Sequence, residues 1–444
     1  RVHCSMRDAR FTACASISNQ SFTPNSPRTA RVGTMNAPAV MILLSIFQAA
    51  SGFRLARRMD KPTDCQMDLL HIPKAVKCRM AGGSACPLSS MRADKPNMVY
   101  PGGKTRCLEG LFPDFAFQVI PGRRDKLILA FDGGGACWDR LSYMANSCSK
   151  KVVLPYTRDG IFSQAPENPF RDHSTVIVQY CSGDLHSGNV THSWRDQLSR
   201  PVHQFGYHNT RATVDWVKAN FPDRLQSFVI TGSSAGGIGA QVWASTLLRE
   251  FDYERASVIA DSYVGAFPPG FEGPVFNNLG VCGLDIIRPE LKDSCHKGSI
   301  TIADVFDFAM AEFPNVAFAS IQSKYEEVQH SFWNKAALSM GRVELSASPE
   351  SFFSEVRGIL ARYNRRANFV SCIVPLAHHT FQFCNELRNL PVGGGYGNVL
   401  GWEAQFAATA PNSSFHSVCT DSLNESSTFQ CDPALTTKVF SPPL

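Results

Sequence analysis

The order of apolar and polar positions predicts alternating strands and helices between residues 110 and 390. Short apolar, β-branched runs predict strands, and apolar residues at helical spacing predict helices. This alternation is typical of a largely parallel sheet with helices on both faces. We therefore predict one α/β domain without an internal repeat. The predicted strands are residues 115–120, 127–131, 175–180, 228–230, 257–260, 316–321 and 368–374, and the predicted helices are residues 209–221, 238–248, 302–313 and 349–363.

The segments between these elements carry further predictions. Residues 121–125 are turn-like and suggest that the first two strands form a hairpin. Residues 53–107 contain Gly/Pro turns and four cysteines, which indicates an irregular segment tied by disulfides. Residues 264–300 are rich in Pro, Gly and Cys, and we expect this insertion to form a cap or pocket wall. Ser348 is predicted to cap the helix that begins at Pro349.

The strongest candidate for chemistry lies where the predicted strand 228–230 runs into a predicted helix. The sequence between them, Gly232-Ser-Ser-Ala-Gly236, fits G-x-S-x-G with Ser234 at its centre. A strand, a sharp turn and a helix are the context of a nucleophile elbow, in which small residues must flank the serine. The N-terminus of the following helix would also favour negative charge at that point. The alternative is a Gly/Ser-rich turn without chemistry.

A nucleophilic serine needs a base and a carboxylate that orients the base. In this fold class the chain order is serine, acid and histidine, each after a strand. Glu326 and Glu327 follow the predicted strand 316–321 and are candidate acids. Asp261 is the rival, since it ends the strand after the elbow helix, and its alternative role is a cap or a salt bridge.

The candidate bases are His378 and His379, which follow the last predicted strand. The chain order disfavours His186 and His192 as the base because they precede the serine, so we expect them at most to line the pocket.

A second glycine-rich turn supplies a candidate oxyanion hole. Residues 127–137 read as a strand followed by three glycines, which resembles the HGGG-type loop. The expected donors are the backbone N–H groups of Gly134, Gly135 and Ala235. The glycine run lacks a following Lys-Ser/Thr and the G-x-G-x-x-G spacing, so phosphate binding is a weak interpretation. We predict neither a cofactor nor a metal ion.

Length and charge fit one large domain. The chain has 444 residues, 44% of them apolar, and a formal net charge of +5. It has no long Lys/Arg block, so we do not predict a nucleic-acid partner. Residues 35–52 contain an apolar stretch followed by small residues and predict a secretory signal peptide, with a signal anchor as the alternative.

The remaining domain boundaries follow from that signal. Residues 1–34 are interpreted as a leader or gene-model extension, residues 53–412 as the α/β domain, and residues 413–444 as a Ser/Thr/Pro-rich tail with partial disorder. No other stretch is apolar for about 18 residues, so we expect no membrane span after signal removal.

The cysteines agree with secretion. Thirteen of the fifteen follow the predicted cleavage site, and they lack the C-x-x-C clusters of a zinc site, so disulfides are the better account. Spacing does not fix connectivity, but Cys137–Cys148, Cys282–Cys295 and Cys372–Cys384 are candidate pairs. The odd count leaves one thiol over. Glycosylation sequons begin at Asn189, Asn412 and Asn424.

Five segments, in this order along the chain, resemble the pectin acetylesterase family, which includes plant enzymes and animal Notum-type carboxylesterases. The resemblance implies an α/β-hydrolase-like fold, secretion, no metal ion, and a serine esterase with Ser234 as the nucleophile. The segments are Phe131-Asp-Gly-Gly-Gly-Ala-Cys137, Tyr180-Cys-Ser-Gly-Asp-Leu-His-Ser-Gly188, Gly232-Ser-Ser-Ala-Gly-Gly237, Ser323-Lys-Tyr-Glu-Glu-Val-Gln329 and His378-His379.

The resemblance also assigns the other site residues. The family's acid lies in a Tyr/Phe-Asp-x-x-Gln pattern, and in this chain Glu326 stands at the Asp position, one methylene longer. His379 is the favoured base because Thr380 follows it, as in microbial members, and His378 is the alternative. The family often has an aromatic residue where this chain has Gly135, which implies a different pocket shape.

Three functions are consistent with these residues. The first is a secreted, monomeric serine esterase that removes acetyl groups from a polysaccharide such as pectin, with the cell wall as one location. The second is a Notum-like deacylase of fatty-acyl-modified protein. The third is a catalytically inactive binding protein on the same fold, for which glutamate in place of aspartate at position 326 is the one hint.

Overall fold

The computed structural model describes parts of one compact unit, Pro62–Leu444. The described residues are 74–80, 82–109, 114–152, 159–196, 198–345, 347–384, 388–392, 394–408, 417–421 and 430–431. The predicted leader, the signal peptide, the sequons at Asn412 and Asn424 and most of the predicted tail lie outside these residues. The domain boundaries therefore stay predictions. Within the described ranges no helix is both long enough and apolar enough to cross a bilayer.

A ten-stranded sheet forms the centre of the fold. Its strand order is β1-β2-β3-β5-β4-β8-β9-β10-β11-β14, and all neighbours are parallel except at the two edges of β3. Two small antiparallel pairs, β6–β7 and β12–β13, stand outside it. The strands are β1 Val76–Arg79, β2 Asn97–Tyr100, β3 Phe117–Ile120, β4 Arg123–Phe131, β5 His173–Val178, β6 Val190–Arg195, β7 Pro201–Gln204, β8 Leu225–Ser233, β9 Tyr253–Asp261, β10 Ala317–Ser323, β11 Phe369–Val374, β12 Pro391–Val392, β13 Gly397–Asn398 and β14 Val418–Cys419.

Helices cover both faces of the sheet. Neighbouring side chains of a strand point to opposite faces, so a strand that is apolar throughout needs cover on each side. Along β8, Phe228 and Ile230 belong to one buried cluster and Val229 belongs to another. The fold is α/β-hydrolase-like, as predicted. The helices are α1 Arg140–Met144, α2 Gly206–Asn220, α3 Ala235–Glu250, α4 Glu272–Asn278, α5 Pro289–His296, α6 Ile302–Glu312, α7 Glu327–Ser339, α8 Pro349–Tyr363 and α9 Val399–Ala408.

The predicted hairpin between the first two strands is wrong. β3 and β4 do not pair with each other, because β5 lies between them, antiparallel to β3 and parallel to β4. β5 is buried along its whole length, so it needs a hydrogen-bonded neighbour on each side. Strand β4 also begins at Arg123, which leaves only residues 121 and 122 as the connection.

Several elements were not predicted. The segment 53–107 was expected to be irregular, yet its described part holds strands β1 and β2 as well as the Cys78–Cys86 disulfide. Helices α7 and α9 and the β6–β7 pair were also missed. Strand β14 lies in the predicted tail and pairs with β11. The predicted cap at Ser348 is present, because its side chain accepts the N–H of Ser351.

Two of the three candidate disulfides are confirmed, and the third is wrong. Cys137–Cys148 and Cys282–Cys295 are bonded. Cys372 is a free, fully buried thiol inside β11, a strand paired on both sides, and Cys384 is bonded to another residue. The described residues also contain Cys107–Cys181 and Cys419–Cys431.

Candidate active site

Ser234 occupies a strained turn between β8 and α3. Its backbone has φ 58° and ψ −124°, a region that L-residues rarely adopt. The turn is closed tightly, since a Cβ at Gly232 would collide with the carbonyl of Gly236, and a Cβ at Gly236 would collide with that of Phe131. The predicted strand, sharp turn and helix are therefore all present around this serine.

The glycine turn after β4 lies directly against this elbow. A Cβ added at Gly133 would lie 2.8 Å from the Ser233 carbonyl oxygen and 3.1 Å from Ser234 Cβ. The N–H groups of Gly134, Gly135 and Ala235 donate no hydrogen bond to any described residue. Backbone donors that are unused and lie close to a nucleophile are what an oxyanion hole requires.

One disulfide and one buried histidine hold the glycine turn in place. Cys137–Cys148 closes the loop that follows it, and Ser149 N–H donates to the Gly134 carbonyl at 2.7 Å. His186 Nε2 lies 2.8 Å from the Asp132 carbonyl oxygen. Burial lowers the pKa of His186 to about 4, so its ring is neutral and donates to that carbonyl.

The two early histidines have different positions. His186 is 1% exposed, and its ring packs against Phe131 and Tyr180. Through its bond to the Asp132 carbonyl it supports the start of the glycine turn. His192 lies on strand β6, where it stacks on Trp194 and contacts Gln204.

Gly135 is required in this chain for steric reasons. Its φ is 70°, and a Cβ there would collide with the Ser147 carbonyl and lie 3.1 Å from Phe332 Cζ. A ring from α7 therefore lies beside Gly135.

Glu326 and His379 meet across the ends of two adjacent strands. Glu326 Oε2 lies 2.9 Å from His379 Nδ1, and the glutamate side chain is fully buried. Glu326 Oε1 accepts the N–H groups of Val328 and Gln329, which fixes the carboxylate as the N-cap of α7. The extra methylene of glutamate does not prevent contact with the histidine.

The other sequence candidates are placed differently. Glu327 is the first residue of α7 and is exposed. His378 accepts a hydrogen bond from Ser323 Oγ through its backbone carbonyl, and its ring lies edge-on to Phe381. The Asp261 carboxylate accepts hydrogen bonds from two serine hydroxyls and two backbone N–H groups.

His379 Nε2 is the atom of this arrangement that can accept a proton. It is buried and has no hydrogen-bond partner among the described residues. A buried nitrogen without a partner is costly, and such an exception commonly marks a functional atom. In the neutral tautomer that donates its Nδ1 proton to Glu326, Nε2 carries the lone pair.

Sequence reasoning missed a group of contacts beside the site. They are formed by Asp261, Ser262, Thr380 and Gln382. Asp261 is 0% exposed, and its carboxylate accepts hydrogen bonds from both the elbow side and the His379 side. Ser262 Oγ accepts the N–H of Thr380 at 3.0 Å. No motif signals these contacts, because they join residues about 120 positions apart.

A small apolar cavity begins where the glycine turn ends. It encloses about 20 Å³, roughly the room of one water molecule. Residues of the predicted cap segment 264–300 form one wall, which agrees with the expected pocket wall. The lining residues are Ala136, Cys137, Trp138, Gly183, Leu185, Phe267, Phe271, Glu272, Val275, Phe276, Leu279 and Ile302.

One group of potential metal ligands occurs among the described residues. It consists of Cys419, Asp421 and Cys431, and its two cysteines are joined by a disulfide. Two of the three sulfur and oxygen ligands are therefore already used, so the group does not form a metal site.

Known proteins resemble this chain in sequence and in fold. Residues 99–270 match the sequence model of the pectinacetylesterase family, so the predicted resemblance is confirmed over that range. The match includes the glycine turn and the elbow but ends before Glu326 and His379. It supports a hydrolase of the carboxylesterase type. No curated protein matches the chain.

Solved structures of the Wnt deacylase Notum from Drosophila have a similar fold. In one crystal form the identity is 14%, the alignment covers 70% of this chain and 92% of that chain, and the TM-score is 0.52. In a second crystal form the identity is 16%, the coverage is 70% and 94%, and the TM-score is 0.49. At this identity the first comparison supports the fold.

Proposed function

We propose that this protein is a serine carboxylic-ester hydrolase in which Ser234 is the nucleophile, His379 the base and Glu326 the acid. The observation that carries the proposal is the buried Glu326–His379 hydrogen bond, which leaves His379 Nε2 without a partner. The strained elbow and the unused amides of the glycine turn support it.

The proposed reaction has two halves. His379 Nε2 takes the Ser234 hydroxyl proton as Oγ attacks the ester carbonyl carbon, and the developing oxyanion accepts hydrogen bonds from Gly134, Gly135 and Ala235. His379 then gives that proton to the leaving alkoxide, which departs as an alcohol and leaves an acyl-serine. In the second half, His379 takes a proton from water as the water oxygen attacks the acyl carbon. His379 then gives that proton to Ser234 Oγ as the bond between this oxygen and the acyl carbon breaks, which releases the carboxylic acid and restores Ser234.

The buried Glu326 carboxylate stabilises the imidazolium formed in each half and keeps the proton of the neutral ring on Nδ1. Ser234 Oγ forms no hydrogen bond to a described residue. In a protein without substrate this is expected, because such bonds often tighten only in the complex.

For the substrate we propose an acetyl ester of a polysaccharide, such as pectin. The name of the matching family supports it. The alternative is a deacylase of fatty-acyl-modified protein, which the name of the Notum structures suggests.

We also propose that the protein is secreted and acts as a monomer. The disulfides among the described residues support export, since such bonds persist in oxidising compartments. The sequon residue Asn189 is exposed, which is compatible with a glycan there.

The test is hydrolysis of p-nitrophenyl acetate by the full-length secreted protein and by Ser234→Ala. We expect turnover by the wild type and only the uncatalysed rate with the variant. If the two proteins give equal rates, the proposal is wrong. Esters of 2, 8 and 16 carbons separate acetyl from fatty-acyl preference. A properly folded wild type that fails to react with a fluorophosphonate probe would instead support the inactive binding protein.

A further inference from the structure

We propose that Asp261 is a positioning residue that binds the Ser234 elbow and the His379 loop to one carboxylate. This inference rests on the proposed function, because it concerns the alignment of the same serine and histidine. It assigns Asp261 a role other than triad acid, salt bridge or helix cap.

Asp261 contacts the elbow through both its side chain and its backbone. It ends strand β9, directly beside Ser233 in the neighbouring strand β8. Ser233 Oγ donates to Asp261 Oδ2 at 3.0 Å, and the N–H of Ser234 donates to the Asp261 carbonyl at 2.9 Å. The residue before the nucleophile and the nucleophile itself are therefore both anchored to Asp261.

The same carboxylate holds the loop that carries the base. Oδ2 accepts the N–H of Phe381 at 2.7 Å and that of Gln382 at 2.8 Å. Oδ1 accepts Ser262 Oγ at 2.9 Å, and that hydroxyl oxygen in turn accepts the N–H of Thr380. The three residues that follow His379 are thus fixed, directly or through Ser262, by one side chain.

Three residues with a strained backbone lie at the points that this network joins. Ser234, Ser262 and Thr380 have φ of 58°, 56° and 69°, respectively. Positive φ is uncommon outside glycine and least tolerated by a β-branched residue such as threonine. Such a backbone conformation is unfavourable and persists only where its surroundings enforce it. The Asp261 hydrogen bonds reach all three residues.

An ionised Asp261 carboxylate matches the hydrogen-bond donors that surround it. An ionised carboxylate offers only acceptors, and here it meets four donors. Burial raises the pKa of Asp261 to about 6, while the hydrogen bonds oppose that rise. At neutral pH the group is mainly ionised, in the form that can accept all four bonds.

The experiment uses the full-length protein with Asp261→Asn and Ser262→Ala. The asparagine directs an amide donor at groups that also donate. The alanine removes the hydroxyl that joins Asp261 Oδ1 to the N–H of Thr380 and leaves the three bonds to Oδ2 in place. We expect kcat on p-nitrophenyl acetate to fall about 100-fold for Asp261→Asn and about threefold to tenfold for Ser262→Ala, with KM changed less than about twofold. Gln382 keeps its bonds to Thr231 and Glu403, which favours folding of both variants.

A proton spectrum distinguishes positioning from a loss of stability. The His379 Nδ1–H proton, hydrogen-bonded to Glu326, should give a low-field resonance, assigned by its loss in His379→Gln. We expect Asp261→Asn to shift or broaden this resonance. Asp184→Asn is the matched control, since Asp184 is also fully buried with a pKa raised to about 6 and accepts a serine hydroxyl and a backbone N–H. Its resonance should be unchanged.

These measurements distinguish a failure of the Asp261 proposal from a failure of the proposed esterase function. If folded Asp261→Asn and Ser262→Ala keep both the wild-type kcat and the wild-type resonance, Asp261 does not position His379. If Asp261→Asn does not fold, Ser262→Ala decides by the same two measurements. A wild type without esterase activity overturns the proposed function, and the resonance still decides whether Asp261 orders the His379 loop.

Discussion

Glu326 Oε2 lies 2.9 Å from His379 Nδ1, while the other oxygen of the same carboxylate accepts two N–H groups at the start of α7. One side chain thus orients the proposed base and caps a helix. The two contacts use different oxygens, so substitutions can separate their contributions to activity and to stability.

Glu326→Gln should abolish most activity with little loss of stability. The amide oxygen can still cap α7, but the –NH₂ group then faces the Nδ1–H of His379, which disfavours the productive tautomer. We expect kcat on p-nitrophenyl acetate to fall by about 10²–10⁴, with the melting temperature nearly unchanged. Steady-state kinetics and thermal unfolding measure the two effects.

Glu326→Ala and Glu327→Gln are the controls for this prediction. The alanine variant also loses the cap, so its free energy of unfolding should fall by a further ~0.5–2 kcal/mol. Glu327 is exposed at the next position, and Glu327→Gln should match the wild type in both measurements. Wild-type kcat in Glu326→Gln would show that this carboxylate does not orient the base.

Gly133→Ala should reduce activity by crowding the nucleophile. Gly133 does not adopt a positive φ, so alanine adds no backbone strain, but its Cβ would lie 2.8 Å from the Ser233 carbonyl oxygen and 3.1 Å from Ser234 Cβ. We expect kcat to fall about tenfold to 100-fold because the glycine turn or the elbow must move. Kinetics with p-nitrophenyl acetate measure it.

Gly358→Ala is the matched substitution on the surface of α8, where an added Cβ meets nothing within 4 Å. It should leave kcat unchanged and raise the free energy of unfolding by about 0.5–1 kcal/mol, since alanine is the better helix former. Equal kcat values for Gly133→Ala and wild type would argue against close approach of the glycine turn to Ser234.

The sequence predicted what depends on local pattern. The elbow strand and helix, helix α8 with its Ser348 cap, and the Glu326 and His379 segments all follow from neighbours in the chain. α8 extends over the residues predicted, because its apolar positions recur at helical spacing and Pro349 fits the first helical position. The strand-end positions of Glu326 and His379 follow from the parallel order of the sheet.

Contacts between distant segments could not be predicted in this way. The strand runs of β3 and β4 suggested a hairpin, because nothing in their own residues shows that β5 comes between them. Cys372 and Cys384 have the spacing of a short loop, but spacing does not show that the first thiol lies within the sheet. The Asp261 network likewise appears only when β8, β9 and the His379 loop are brought together.

Leu279→Ala should widen the range of acyl groups that the enzyme accepts. Leu279 is 1% exposed and lines the small cavity beside the glycine turn. If that cavity holds the acyl group, the additional space should raise kcat/KM for a butyrate ester relative to acetate by about tenfold or more, since each methylene in an apolar pocket is worth ~1–3 kcal/mol. The measurement compares p-nitrophenyl acetate with p-nitrophenyl butyrate.

Leu247→Ala is the control, because Leu247 is equally buried but does not line the cavity. Both variants should lose about 2–5 kcal/mol of stability, and only Leu279→Ala should change the ratio of the two esters. The same ratio in both variants would place the acyl site elsewhere.

Glu272 should make the protein less stable as the pH rises towards 8. Burial raises the pKa of Glu272 to about 8 in the folded protein, above its ordinary value, which it regains on unfolding. The folded state therefore holds a proton that the unfolded state has already lost. The stability due to this proton is complete below the unfolded pKa and is lost as the pH rises through the folded pKa.

The variant that tests this is Glu272→Gln, whose amide oxygen can still accept the N–H of Ile302, as Glu272 Oε1 does at 2.8 Å. Between about pH 5 and 8 the wild type should lose up to a few kcal/mol relative to this variant, because each pH unit between the unfolded and the folded pKa costs about 1.4 kcal/mol. Urea unfolding at several pH values gives the difference directly, and it isolates Glu272 because Asp184 and Asp261 titrate in both proteins. Parallel stability curves would mean that Glu272 is ionised in the folded protein throughout this range and that its contact with Ile302 outweighs the cost of burying its charge.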